Sequence, residues 1–187
     1  LRFAGPVRRE LGVPTTFNFL GPLSNPAGVG RQAVGVSDPA MAETVVGALA
    51  ELGKAHVLVF YGHDGLDELT TTAPSTVHEL HHGTVRRYDL DPATLGIPRA
   101  AREALLGGDA ATNAAIVEDV VSGARGAVRD IVCLNAAAAL VVADLADDFA
   151  TGIELAGAVL DDGRAARTLE RFVAVSQRER AAEERES

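Results

Sequence analysis

The sequence predicts an α/β fold: an open, mainly parallel sheet flanked by helices, with a short antiparallel extension. Its first half contains a strand pattern, a helical pattern and a second strand pattern, over residues 32–36, 38–52 and 55–61. A helix that connects two strands of one sheet makes them parallel and covers one face of the sheet. From residue 108 onward the pattern is helical. At 187 residues, the chain is expected to form one α/β domain.

The first helix and the strand after it have clear boundaries. Asp38 is a preferred N-cap residue, Pro39 suits the first helical position, and Gly53 follows the last periodic apolar residue. Residues 55–61 form a nearly unbroken apolar run, typical of a strand covered on both faces. The antiparallel extension is expected from three short strands, with a hairpin turn at His82-Gly83, over residues 66–72, 76–80 and 84–88.

The helical half is predicted to contain three or four helices. Asp109 is expected to cap the first, which Gly123 ends. A longer, alanine-rich helix from residue 127 to about 147 is expected to be the buried one. One or two amphipathic helices follow over residues 148–172 with a break near Gly163, and the charged tail is expected to fray.

Composition narrows the class of function. The formal charge of −9, from 26 acidic and 17 basic side chains, disfavours nucleic acid and anionic membranes as partners. A phosphate-bearing substrate would need local positive charge from a metal or from placed arginines. The single cysteine, Cys133, excludes an internal disulfide and is expected in the core. With no signal segment and no apolar run that could span a bilayer, the expected location is the cytoplasm.

Asp67 and Glu68 are the candidate metal ligands. They follow the apolar strand, and ligands of open α/β sheets bind beyond the carboxyl ends of strands. Adjacent carboxylates supply the hard oxygen ligands that Mg²⁺ takes together with substrate phosphates and water. The alternative is a solvated pair, the ordinary state of surface carboxylates. In a regular strand the two side chains would point to opposite faces, so shared ligation requires a loop or a bulge.

Arg8 and Arg9 are a second candidate site, on a short helix predicted over residues 7–11. A guanidinium group binds a carboxylate or a phosphate through two parallel hydrogen bonds. Spacing alone favours the alternative, an arginine that is solvated or paired with Glu10, because arginines are mostly exposed.

Other motifs are weaker. Residues 15–27 either line a pocket for a flat ring or connect elements, and composition does not decide between the two. Gly107 and Gly108 precede a helix as in a phosphate cradle, but Asp109 is expected to cap that helix and to repel a phosphate. The five histidines lack the spacing of metal ligands, and three are expected at the surface: His78, His81 and His82. No Ser-His-Asp, Walker-type or dinucleotide motif is present.

Two long segments strongly resemble anthranilate phosphoribosyltransferases. They are Gly5-Pro6-Val7-Arg8-Arg9-Glu10-Leu11-Gly12 and Phe17-Asn18-Phe19-Leu20-Gly21-Pro22-Leu23-Ser24-Asn25-Pro26-Ala27. The resemblance continues in the family's order through Gly65-Leu66-Asp67-Glu68, Gly107-Gly108-Asp109-Ala110-Ala111-Thr112-Asn113-Ala114 and Leu134-Asn135-Ala136-Ala137-Ala138-Ala139-Leu140. It covers most of the chain.

This resemblance implies a fold, a reaction and a set of site residues. Residues 1–175 would be part of a nucleoside phosphorylase/phosphoribosyltransferase-like C-terminal domain, incomplete at its N-terminal side, followed by the tail at 176–187. The reaction would join anthranilate to phosphoribosyl pyrophosphate in tryptophan biosynthesis, releasing pyrophosphate. Arg8 matches the arginine that binds the anthranilate carboxylate, and Asp67 and Glu68 match the Mg²⁺ ligands. No catalytic acid or base is implied.

The chain departs from the family at its front. The family's glycine-rich pyrophosphate loop and its Lys-His-Gly-Asn-Arg segment do not occur in these 187 residues. Neither does the small N-terminal helical domain, through which the full-length family is expected to form homodimers. The alternatives are therefore an inactive fragment or binding module of the same family. A pyrimidine nucleoside phosphorylase relative would not be expected to carry the Gly-Leu-Asp-Glu pair.

Overall fold

The computed structural model describes Glu10 and residues 19–186. In this part of the chain a sheet of four strands has the order β1-β2-β3-β4, formed by Arg31–Gly35, His56–Gly62, Ser75–His81 and Thr84–Leu90. β1 and β2 are parallel, whereas β2 with β3 and β3 with β4 are antiparallel. The predicted parallel pair and an antiparallel extension are both present, and the α/β architecture is confirmed. The described sheet is mixed rather than mainly parallel, because two of its three strand pairs are antiparallel.

The helices flank this sheet and follow it. They are α1 (Leu20–Leu23), α2 (Ala42–Glu51), α3 (Ala110–Val121), α4 (Ala127–Val142), α5 (Phe149–Asp161) and α6 (Arg164–Glu186), with short 3₁₀ turns at Pro39–Met41, Pro92–Leu95 and Arg102–Leu105. The predicted caps are confirmed, since Asp38 accepts from the N–H of Ala40 at 3.0 Å and Asp109 from that of Thr112 at 2.8 Å. Among the described residues, no helix is both long and apolar enough to cross a membrane.

β2 is the centre of a three-layer core. Val57 and Val59 face α2, where they are buried with Val45, Val46 and Leu49. Leu58 and Phe60 point the other way, onto α4 and α5, and are buried with Leu134, Ala137, Ala138 and Phe149. The two sets alternate along the strand as side chains of a β-strand must. The predicted strand covered on both faces and the predicted buried alanine-rich helix are thus confirmed.

The strand predicted over residues 66–72 is wrong, because this segment is a loop without ladder pairing. Its main-chain N–H groups donate hydrogen bonds to side chains instead. The N–H of Thr70 donates to the Ser75 hydroxyl at 3.0 Å, and that of Thr72 donates to the Thr70 hydroxyl at 3.0 Å. Short polar side chains that bond nearby main-chain groups compete with regular structure in this way.

Two helix boundaries also differ from the prediction. α4 ends at Val142 rather than near 147, because Asp144 adopts a φ of 55° and the N–H of Leu145 returns to the carbonyl of Leu140 at 2.9 Å. The break at Gly163 is confirmed, with a φ of 74°. Beyond it, the charged tail that was expected to fray continues α6 to Glu186.

Candidate functional site

The segment after β2, residues 63–74, is here named the Asp67 loop. It lies at the carboxyl end of the parallel pair and packs against Gly35, the last residue of β1. A Cβ atom on Gly35 would overlap the main-chain carbonyl of Asp67. Only glycine therefore allows the loop to cross the end of β1 this closely. The candidate ligands lie where open α/β sheets bind their ligands.

Asp64 stabilises the loop from inside. Its carboxylate accepts hydrogen bonds from the Leu66 N–H at 3.2 Å, from the Thr70 hydroxyl at 2.7 Å and from the Thr72 hydroxyl. Partial burial alone would raise the pKa of Asp64, but these hydrogen bonds outweigh it and hold the pKa below its ordinary value. The carboxylate therefore stays ionised and keeps the turn closed near neutral pH.

Asn135 fixes the loop from outside, through α4. Its side-chain carbonyl accepts from the N–H of Leu69 at 3.0 Å, and its amide donates to the carbonyl of Leu69 at 2.8 Å and to that of Ile131 at 3.0 Å. Leu69 is fully buried and directly follows Glu68. One amide side chain thus satisfies both main-chain groups of the residue beside the candidate ligands, as a neighbouring strand would.

Asp67 and Glu68 are exposed on this loop, which Asp64 and Asn135 hold through hydrogen bonds. Among the described residues, neither carboxylate takes part in a hydrogen bond or an ion pair. Because the segment is a loop, the alternation that would separate their side chains in a strand does not apply. Two exposed carboxylates without a partner in the described part of the chain, on a turn held by Asp64 and Asn135, form a donor set that fits a hard divalent cation such as Mg²⁺.

Arg8 lies outside the described residues, as do the short helix predicted over residues 7–11, except Glu10, and the first part of the segment 15–27. In the described part, Phe19 and Leu23 pack against the α2 side of the core.

The segment at Gly107 and Gly108 is not a free phosphate cradle. The N–H of Gly108 donates to the side chain of Asn113 at 2.8 Å, and Asp109 occupies the N-cap of α3. Cys133 is buried in the helical core, and burial raises the pKa of its thiol, so it is a core residue as expected.

The histidines depart from the prediction. His78 is buried rather than at the surface, and His81 is half-buried. His56 and His81 are direct partners in the antiparallel register of β2 and β3, and both lie next to Glu79. Their separation along the sequence hides this contact. The hairpin turn at His82-Gly83 sets the register of β3 with β4 and not with β2, so no turn signal in the sequence paired His81 with His56.

The chain matches the model of a glycosyl transferase family, described as its a/b domain, over residues 1–166. It is 53% identical over 178 residues to the anthranilate phosphoribosyltransferase of Roseiflexus castenholzii, covering 94% of this chain and 52% of that protein. It is 52% identical over 179 residues to the anthranilate phosphoribosyltransferase of Thermomicrobium roseum, covering 94% of this chain and 51% of that protein. The chain thus spans about half the length of the curated relatives that it matches.

Solved structures agree with this relationship. The anthranilate phosphoribosyltransferase of Thermus thermophilus superimposes with a TM-score of 0.82 at 39% identity, covering 92% of this chain and 51% of that one. The enzyme of Saccharomyces cerevisiae in complex with PRPP and Mg superimposes with a TM-score of 0.81 at 27% identity, covering 91% of this chain and 50% of that one.

Proposed function

The chain belongs to the glycosyl transferase family as its a/b domain, and on that basis we propose that its protein transfers phosphoribosyl from phosphoribosyl pyrophosphate to anthranilate. The observation that carries the proposal is the exposed Asp67-Glu68 pair on its braced loop, in a chain about half identical to anthranilate phosphoribosyltransferases. The product would be N-(5-phosphoribosyl)anthranilate, with release of pyrophosphate, as a step of tryptophan biosynthesis.

Asp67 and Glu68 are proposed to hold Mg²⁺. Bound there, the ion would stabilise the negative charge that develops on the leaving pyrophosphate. The protein's contribution is to present both carboxylates without rearrangement, because Gly35, Asp64 and Asn135 already fix the loop. Groups that are preorganised in this way cost little reorganisation during the reaction.

Arg8 is proposed to bind the carboxylate of anthranilate, an assignment carried by the resemblance of its segment to the family. A guanidinium group fits a planar carboxylate with two parallel hydrogen bonds and would orient the neighbouring amine toward the anomeric carbon. The aryl amine is uncharged near neutral pH, and its lone pair displaces pyrophosphate without a strong general base. Orientation of the amine is therefore the main demand on this side of the site.

For the protein that carries this chain we also propose a homodimer and a cytoplasmic location, both supported by the resemblance to the family. Sedimentation and cell fractionation test these two points.

A second candidate function is that of a binding module without turnover. The chain covers only about half of each relative, and this function requires only part of the site. Such a module would bind anthranilate but release no pyrophosphate.

The direct test follows the loss of anthranilate fluorescence and the release of pyrophosphate with and without Mg²⁺. Equal, Mg²⁺-dependent amounts of both are expected. Arg8→Ala should raise the KM for anthranilate about tenfold or more, because the variant loses one charge-assisted pair with the substrate. The KM for phosphoribosyl pyrophosphate should be unchanged. Arg9→Ala is the matched control. Anthranilate binding without pyrophosphate release would favour the binding module, and absence of both would overturn the proposal.

A further inference from the structure

A second group of chemically active side chains lies at the other end of the sheet from the Asp67 loop. It consists of His56, Glu79 and His81 and is named here the histidine cluster. His56 begins β2, whereas the Asp67 loop follows its last residue, Gly62. Seven strand residues separate the two regions by roughly 20 Å. The cluster therefore lies well away from the site proposed for phosphoribosyl transfer.

The three side chains bring their ligand atoms close together. Each offers a ligand atom, and these atoms all lie within 4.8 Å of one another. His56 and Glu79 are buried, with 3% of their surface exposed in each case, and His81 is half-buried. Two buried polar side chains and a third at the rim make a site that opens to solvent on one side only.

Glu79 has one oxygen committed and one directed at the histidines. Its Oε2 accepts from Arg86 Nε at 3.1 Å, from Arg86 Nη2 at 2.9 Å and from the Tyr88 hydroxyl at 2.9 Å. Its Oε1 lies 3.2 Å from His56 Nε2 and is not engaged by Arg86 or Tyr88. The carboxylate is thus held in a fixed orientation with one oxygen available as a ligand.

His56 is oriented by a second carboxylate. Its Nδ1 lies 3.4 Å from Asp144 Oδ1, and Asp144 is in turn paired with Arg31. An Nδ1–H donated to Asp144 leaves the lone pair on Nε2, on the side of Glu79. A histidine whose second nitrogen donates to a carboxylate is the usual arrangement of metal-binding histidines, because that bond fixes the tautomer and raises the basicity of the ligating nitrogen.

His81 completes the set from the surface. Its ring stacks on that of His56, with centroids 4.0 Å apart and an angle of 14° between the planes. Two stacked rings direct their nitrogen lone pairs in parallel rather than at one point, so His81 must turn about its side-chain torsions to bind an ion. The ring of His82 also stacks on that of His81, at 3.9 Å, so the exposed His82 ring must move with this rotation, whereas the His56 ring is buried.

The surroundings favour a cation. The cluster opens into a cavity of about 610 Å³ between β3, β4 and the connection from α4 to α5. Its lining includes four carboxylates and two guanidinium groups: Glu79, Asp144, Asp147, Asp148, Arg86 and Arg87. Arg31, paired with Asp144, adds a third guanidinium group, so the carboxylates exceed the guanidinium groups by one. A cation would meet this excess of negative charge, and water could complete its coordination from the cavity.

We propose that His56, Glu79 and His81 form a binding site for a divalent transition-metal ion, for which Zn²⁺ is the probe. Two imidazoles and one carboxylate are a ligand set that Zn²⁺ accepts, with the remaining position open to water. The hard ion Mg²⁺ prefers oxygen ligands and should not compete here.

The test is calorimetric titration of the purified chain with Zn²⁺ in the presence of excess Mg²⁺. One equivalent should bind with a Kd below about 10 µM, and saturation should raise the Tm by mass action. His81→Ala should weaken binding at least about tenfold and reduce the Tm shift at the same Zn²⁺ concentration. His82→Ala is the matched control, because its ring stacks on His81 at 3.9 Å but lies outside the ligand set, and it should bind as the unaltered chain does.

Asp144→Asn provides a second variant that keeps all three ligands. It should weaken Zn²⁺ binding about tenfold without removing it, as loss of a partner behind a ligating histidine does. Absence of saturable binding by the unaltered chain would overturn the proposal. Binding that is undiminished in His81→Ala would also overturn it.

Discussion

Asn135 is the residue that ties the candidate ligands to the helical core. Its amide bonds both main-chain groups of Leu69, the residue after Glu68, from a position on α4. Shortening this side chain would leave a buried N–H and a buried carbonyl without partners, at a cost of about 1–3 kcal/mol. The loop would still be held by Asp64, by its contact with Gly35 and by the hydrogen bond from the Ala100 N–H to the Thr71 carbonyl, but the residue next to the candidate ligands would lose its partner.

Asn135→Ala is therefore expected to raise the Mg²⁺ concentration for half-maximal activity in the protein that carries this chain. The Tm should also fall. Asn113→Ala is the matched control, because Asn113 likewise bonds both main-chain groups of one residue, Gly108, at 2.8 and 3.0 Å. A fall in Tm with unchanged Mg²⁺ dependence would show that Asn135 stabilises the fold without positioning the ligands.

Single residues were predictable from sequence where their role is local. Asp38 and Asp109 cap helical segments that begin at the next residue. The residue type and its position before an apolar periodic segment were therefore sufficient to predict both caps. The contact of His56 with Glu79 and His81 depends on the pairing of two strands, and a shift of one residue in register would have separated them. The hydrogen bond from Asn135 to Leu69 depends on how α4 packs, which no local pattern contains.

At the scale of elements, the close packing of α4 and α5 depends on small residues at their contact. Gly152 of α5 faces Ala137 of α4, and a Cβ atom at Gly152 would lie 2.7 Å from the Cβ of Ala137 and 2.9 Å from its Cα. Since the Cα of Ala137 belongs to a helix buried against β2, it has little freedom to retreat. The two helices would have to separate.

Gly152→Ala is accordingly expected to lower the free energy of unfolding by about 1–3 kcal/mol, because overpacking outweighs the gain in helix propensity. Gly157→Ala in the same helix is the control. A Cβ atom there meets only the end of the Arg129 side chain, at 3.5 Å, so this change should raise stability by up to about 1 kcal/mol. Urea unfolding measures both, and equal stabilisation by the two substitutions would contradict the packing account.

The elements themselves were predictable to different degrees. α2 and α4 were predicted because apolar spacing and end signals agree, and β2 because its apolar run is unbroken. The segment 66–72 includes three consecutive threonines, a residue type that favours strands. In the structure the Thr70 hydroxyl and the Ser75 hydroxyl instead accept hydrogen bonds from main-chain N–H groups of the Asp67 loop, which has no ladder pairing.

At the scale of the whole molecule, the α/β architecture followed from one βαβ unit and the antiparallel segments after it. The covering of β2 on both faces explains why its apolar run lacks alternation, and the structure confirms that α2 and α4 provide the two covers. Sequence could not reveal that the chain carries two separate groups of polar side chains at opposite ends of that strand. Sheet geometry alone places one at the Asp67 loop and the other at the histidine cluster.

The central claim is that Asp67 and Glu68 hold the Mg²⁺ that phosphoribosyl transfer requires. The measurement is kcat/KM for phosphoribosyl pyrophosphate, at saturating anthranilate, in the protein carrying Asp67→Asn with Glu68→Gln. The control pair is Glu51→Gln with Asp119→Asn, which removes the same charge from exposed positions on α2 and α3. We predict a loss of at least about a hundredfold in the first variant and none in the control, because only the first loses the metal's carboxylate ligands. An unchanged kcat/KM in the first variant would contradict the account.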